Sequence, residues 1–203
     1  PLDGVSRVTI ASTSGYERSA EAAADMGAAG GVWLQGDLIV IADTDVQAST
    51  GSDKIENLPG FITIAAKSGD LTLLNSTVQT SASGSSGAGT IELEGKNIAL
   101  VDHAEIEAET SGAGNAGSIG VTGDTLLLSG GSFISSEASA GGAAGNIFIE
   151  VVDSLRLTGS EAEPSAITTN AQQSQGGIIS IDAGGKLSLN NGLVRASAGE
   201  LGD

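Results

Sequence analysis

The chain has no cysteine, so no disulfide framework or thiolate metal site is open to it. It is nearly without rings: three Phe, one Trp and one Tyr in 203 residues. A core resting on buried aromatics is thereby excluded. Only 8 Lys and Arg stand against 25 Asp and Glu, a formal charge of −17. A field of that sign repels phosphate backbones and anionic bilayers, so nucleic acid and anionic membrane surfaces are excluded as partners. No apolar run reaches the ~18 residues of a membrane-crossing helix, and no membrane insertion is expected. No basic-then-apolar leader opens the chain. "PLDGVSRVTI" reads instead as the middle of a strand region, and a piece of a longer protein is expected.

What is present is glycine, 31 residues of it, and a 39 % apolar fraction made mostly of Ile, Leu, Val and Ala. That fraction is too high for a disordered chain. It also recurs. Gly30, Gly60, Gly89, Gly117, Gly145 and Gly177 each precede a segment with apolar residues at alternate positions, at successive intervals of 30, 29, 28, 28 and 32 residues. The alternating pairs are Val32/Leu34, Ile62/Ile64, Ile91/Leu93, Ile119/Val121, Ile147/Ile149 and Ile179/Ile181. Period two places each pair on one face of a strand.

Two further segments complete each copy. The second carries Leu38/Val40, Leu71/Leu73, Ile98/Leu100, Leu126/Leu128, Leu155/Leu157 and Leu187/Leu189. The third couples a branched residue to a small one: Val46/Ala48, Val78/Thr80, Ile106/Ala108, Ile134/Ser136, Ile167/Thr169 and Val194/Ala196. Leu2, Val8 and Ile10 fit the tail of an earlier copy. Three short half-apolar strands cannot bury themselves alone, whereas stacked copies can. The expectation is an all-β chain: a right-handed parallel β-helix with three strands per coil of about 28–32 residues and six to seven coils.

Residues 30–203 are expected to form continuous coils starting near 30, 60, 89, 117, 145 and 177. Residues 1–29 supply a partial coil and a long excursion whose Glu17–Met26 part has helical composition. The Gly/Ser/Ala tracts "SASGSSGAG", "ETSGAGNAG" and "SEASAGGAAG" recur at one place in the copy. They read as small-residue corners rather than linkers. The glycine before each first strand is assigned a positive φ and close packing.

The unit "AG-x-I-x-I … L-x-L-x-x-(N/G)G-x-x-I-x-(A/S)" resembles the repeat body of filamentous-haemagglutinin-like large exoproteins. The clearest stretches are "AGSIGVTGDTLLLSGGSFISS" and "GGIISIDAGGKLSLNNGLVRAS", and the resemblance covers about residues 30–198. It implies a cell-surface adhesin exported by two-partner secretion from a Gram-negative bacterium or cyanobacterium. The family's secretion domain carries Asn-Pro-Asn-Gly and Asn-Pro-Asn-Leu motifs. This chain has neither, so it resembles the shaft. The implied partners are flanking coils of a parent chain, a host or cell-surface glycan or protein receptor, and other copies joined end to end.

Chemistry is sparse, and no catalytic, cofactor or metal residue is assigned. His103, the lone histidine, sits in the turn "VDHAE", where a solvated side chain is the ordinary outcome. Glu105, Glu107 and Glu109 share one outward face, about 6.5–7 Å apart, too wide for a compact calcium cage, and read as a solvated acidic stripe. Asp43 and Asp102 occupy equivalent turns but are separated by Asn75, and no basic residue joins them. That argues against the carboxylate-plus-cation site of sugar-cleaving β-helices. The mixed outward columns, Trp33 to Ser180 and Gln47 to Arg195, lack the threonine ladder an ice-binding face requires. Trp33 and Phe148 lie in an outward column, where a ring is either covered by a loop, here the excursion before Gly30, or free to stack on a sugar. The function expected is a non-catalytic structural shaft, with a glycan-binding module, a self-assembling filament subunit and, last, a carbohydrate-active enzyme as alternatives. No ligand-binding residue is assigned.

Overall fold

The computed structural model describes residues 8–14, 30–51 and 59–199. The expected Glu17–Met26 helix lies outside the described residues. Among the described residues every element is a strand. In chain order they are β1 (Val8–Ser14), β2 (Gly31–Gly36), β3 (Ile39–Ala42), β4 (Thr44–Thr50), β5 (Phe61–Ala66), β6 (Leu71–Leu74), β7 (Thr77–Ala82) and β8 (Thr90–Val101). There follow β9 (Glu105–Thr110), β10 (Ile119–Ser129), β11 (Phe133–Ala138), β12 (Ile147–Thr158), β13 (Ser165–Ala171), β14 (Ile179–Ala183), β15 (Lys186–Asn190) and β16 (Gly192–Ala198).

Every pairing is parallel and joins a strand to its counterpart one copy away, the arrangement of a β-solenoid. One sheet runs β1-β4-β7-β9-β11-β13-β16, and the other holds the first and second segments of all six complete copies. The registers place like residues over one another: Ile64 on Leu93, Leu93 on Val121, Val121 on Ile149, and Ile106 on Ile134. These inward residues are at most 2 % exposed. They belong to one aliphatic cluster extending from Val32 to Ile167. Each such side chain gains about 1.5–3 kcal/mol on leaving water, set against the ordering of its own coil.

Two details of the coil are refined. First, the three segments recur in every copy, but the first and second are not always separate strands. In β8, β10 and β12 the first and second segments run together as single strands of 11 or 12 residues. The five-residue step from Leu93 to Ile98, and from Val121 to Leu126, keeps both pairs facing inward through the bend. The step from Ile149 to Leu155 is one residue longer. The register with β10 shifts there between Gly123 and Thr125, and Val152 is thrown out to 67 % exposure.

Second, the inward pair of β3 is Ile39/Ile41, paired with Leu71 and Leu73, and not Leu38/Val40. Leu38 and Val40 are 67 % and 62 % exposed. The run Leu38-Ile39-Val40-Ile41 is apolar throughout, so alternation alone does not set its phase. Counting from Leu34 does, because Ile39 then repeats the five-residue step of the β8 and β10 copies.

The corner glycines need space rather than an unusual backbone. Among the described glycines only Gly130 and Gly131 have positive φ. A Cβ at Gly89, Gly117, Gly145 or Gly177 would instead strike the carbonyl oxygen of the glycine one coil earlier. These corners therefore stack backbone on backbone. The inward hydroxyls of the third strands close the same corner. Thr80 donates to the Gly89 carbonyl at 2.8 Å and Thr169 to that of Gly177 at 3.2 Å. Ser136 donates to the Gly117 carbonyl and accepts from the Gly145 amide, both at 2.9 Å. Beyond them Ala116, Ala138, Ala144 and Ala171 form a second, small-residue cluster, so the Gly/Ser/Ala tracts are packed corners. Among the described residues no buried side-chain nitrogen or oxygen lacks a hydrogen-bond partner.

Candidate functional site

With the interior committed to packing, any ligand must meet an outward column, and three were legible as candidates. The first is the turn between the second and third segments. Asp43, Asn75, Asp102 and Asn191 all have φ between 44° and 53° there. Asn and Asp tolerate this left-handed conformation better than other residues with a Cβ. The Asn75 amide also donates to the Asp43 carboxylate at 2.7 Å. Asp43 and Asp102 are accounted for by the turn.

His103 shares the positive φ (62°) and stays exposed. Its Nδ1 lies 3.5 Å from Asp102 and its Nε2 3.6 Å from Glu163. Glu163 belongs to the long turn between β12 and β13. That turn reaches back across Gly131, whose missing side chain leaves room for the imidazole. Sequence spacing gave no hint of the Glu163 contact, because it depends on how the turn folds over the intervening coil. Among the described residues no group of His, Asp and Glu is arranged to hold a metal ion.

The second column is the outer face of β9. Gln79, Glu107, Ser135, Thr168 and Arg195 lie in register on successive coils. Beside them run Ser81, Glu109, Glu137 and Asn170. The glutamates are half-buried among these neighbours rather than fully solvated. Gln79 donates to both Glu107, at 3.1 Å, and Glu109, at 2.9 Å. Asn170 donates to Glu137 at 3.2 Å. Desolvation, with repulsion from Glu109 and Glu105, pushes the Glu107 carboxyl up to about 7 against the Gln79 hydrogen bond. Desolvation and Glu137 raise Glu109 as well. The result is a ladder whose middle rung holds a proton near neutrality.

The third column lies on the first strands and runs Trp33, Thr63, Glu92, Gly120, Phe148, Ser180. Trp33 is 66 % and Phe148 50 % exposed. Gly120 leaves a gap in the row. The Glu92 carboxylate leans over it, where a Cβ on Gly120 would meet it. Much of Glu92 remains in water, yet the desolvated part is enough to raise its pKa. Phe148 forms the opposite wall. The resulting cleft of about 360 Å³ is also lined by Thr122, Glu150, Ser180 and Asp182, with no Lys or Arg. In the sequence this site showed only as two rings in one column. Its depth comes from the side chain that Gly120 does not have.

The architecture defines a β-solenoid whose polar features sit on its outer faces. Comparison with protein-family models, with curated proteins and with solved structures gave no match.

Proposed function

We propose that this chain is a structural shaft segment of an extracellular surface protein, without catalytic activity of its own. The observation that carries the reading is the uninterrupted aliphatic cluster from Val32 to Ile167, to which five successive copies contribute equivalent residues and against which Ile179 and Ile181 of the sixth pack. Such a column gains length by simple repetition, about 4.8 Å per coil. The acidic surface keeps neighbouring shafts apart. The turns tolerate variation without disturbing the column: the bend of β12 admits an extra residue, and the turn from Gly159 to Pro164 is longer than its equivalents. The resemblance of the repeat to filamentous-haemagglutinin-like exoproteins supports the same role and a two-partner export route.

The reading is tested on intact cells that make the parent protein. An antibody raised against residues 59–199 is expected to label their surface, and external protease to abolish the label. Signal found only after cell lysis overturns it.

A further inference from the structure

The first-strand face carries features that a shaft does not need. Its rings, Trp33 and Phe148, stand in one column four coils apart, about 19 Å along the axis. Between them lies Gly120, with the Glu92 carboxylate folded over it and Phe148 on the next coil. The neighbouring outward column places Glu94, Thr122, Glu150 and Asp182 in register beside it. The face is therefore a narrow axial track with half-exposed rings and hydrogen-bond acceptors alongside.

We propose that this track binds a neutral glycan chain lying along the solenoid axis. A pyranose ring stacks on Phe148 beside the Glu92 carboxylate, and its hydroxyls donate to Glu92, Glu150 and Asp182. Pyranoses pair an apolar C–H face with a rim of hydroxyls, and this cleft offers a ring beside carboxyl acceptors. The net charge of −17 and the carboxylates of the cleft reject uronate and sulfated polymers. The 19 Å separation suits an extended oligosaccharide long enough to reach from Phe148 to Trp33. The inference goes beyond the shaft role and does not rest on it, since a rod can serve without a ligand and a ligand can bind a fragment.

Trp33 is the only tryptophan, so its fluorescence reports on one end of the track directly. The 203-residue chain is titrated with cellohexaose, mannohexaose and laminarihexaose, with hexagalacturonate as the anionic comparison. At least one neutral hexamer is expected to change the Trp33 emission saturably, and hexagalacturonate is not. Phe148→Ala should weaken that binding by about tenfold, and Glu92→Gln by several-fold. Gly120→Val, whose side chain would push the Glu92 carboxylate out of place, should weaken it at least as much as Glu92→Gln. Far-UV circular dichroism checks that each variant retains its strands; Phe148 and Glu92 are exposed, so these two should fold normally. The proposal is overturned if no neutral hexamer binds at millimolar concentration. It is equally overturned if hexagalacturonate binds as well as they do, or if folded Phe148→Ala and Glu92→Gln both bind like the parent.

Discussion

Glu107 carries the most distinctive single-residue chemistry of the solenoid. Its native pKa, about 7, stands above the ordinary glutamate value of 4.5, so the folded state holds this proton more tightly than the unfolded chain. The stabilisation is fully present below about pH 4.5 and is lost as pH rises through 7. The melting midpoint is therefore expected to fall between about pH 5 and about pH 8. Glu107→Gln, which keeps the shape and the Gln79 contact without the charge, should flatten that slope and raise stability at about pH 8. Solvent screening limits the gain to about 1 kcal/mol, or about 2–4 °C, measurable by thermal unfolding at the two pH values. Asn75 offers a contrasting case. Its left-handed backbone makes Asn75→Gly close to neutral, whereas Asn75→Val should cost about 1–2 kcal/mol in urea unfolding.

At the scale of the strand and corner, the glycines separate into those that must be glycine and those that need not be. Gly117→Ala drives a methyl into the Gly89 carbonyl and is expected to cost about 2–3 kcal/mol, whereas a Cβ at Gly141 meets nothing within 4 Å. Gly141→Ala should stay within about 0.5 kcal/mol of the parent, and chemical denaturation of the two variants side by side checks the contrast. These elements also show what a sequence can convey. Ile119, Val121, Leu126 and Leu128 were legible because polar or small residues alternate with most of them, and the corner glycines because they recur. The phase of Leu38–Ile41 was not legible from alternation, since that stretch has none. The Glu107 environment was hidden for another reason: Gln79 and Glu137 lie 28 and 30 residues away and reach it only through the stacking. The gap at Gly120 could be read as an omission in a column, but the carboxylate leaning over it could not.

For the whole molecule, stability is shared between neighbouring coils. Inner positions such as Ile91, Ile119 and Leu155 are covered from both sides and are fully buried, whereas Leu187, Leu189 and Val194 of the last complete coil are 53 %, 49 % and 37 % exposed. Amide exchange is expected to be slowest across β8, β10 and β12 and faster in β14, β15 and β16 by at least about tenfold. Excising residues 117–144, one full period from corner to corner, should leave a folded protein. Its rod would be shorter by about 4.8 Å in small-angle scattering. Loss of the strand signal in that deletion would mean that the coils are not interchangeable.

The parallel pairing has a mechanical consequence. The bonds between coils point along the rod, so a pull applied to its two ends meets them one coil at a time instead of all together. The solenoid should thus yield like thread leaving a spool, at modest tension and in repeated steps. Each coil of 28 to 32 residues would release roughly 100 Å of extended chain. A tether of this kind would lengthen under sudden drag before it parted, and optical-trap traces with evenly spaced steps would reveal it.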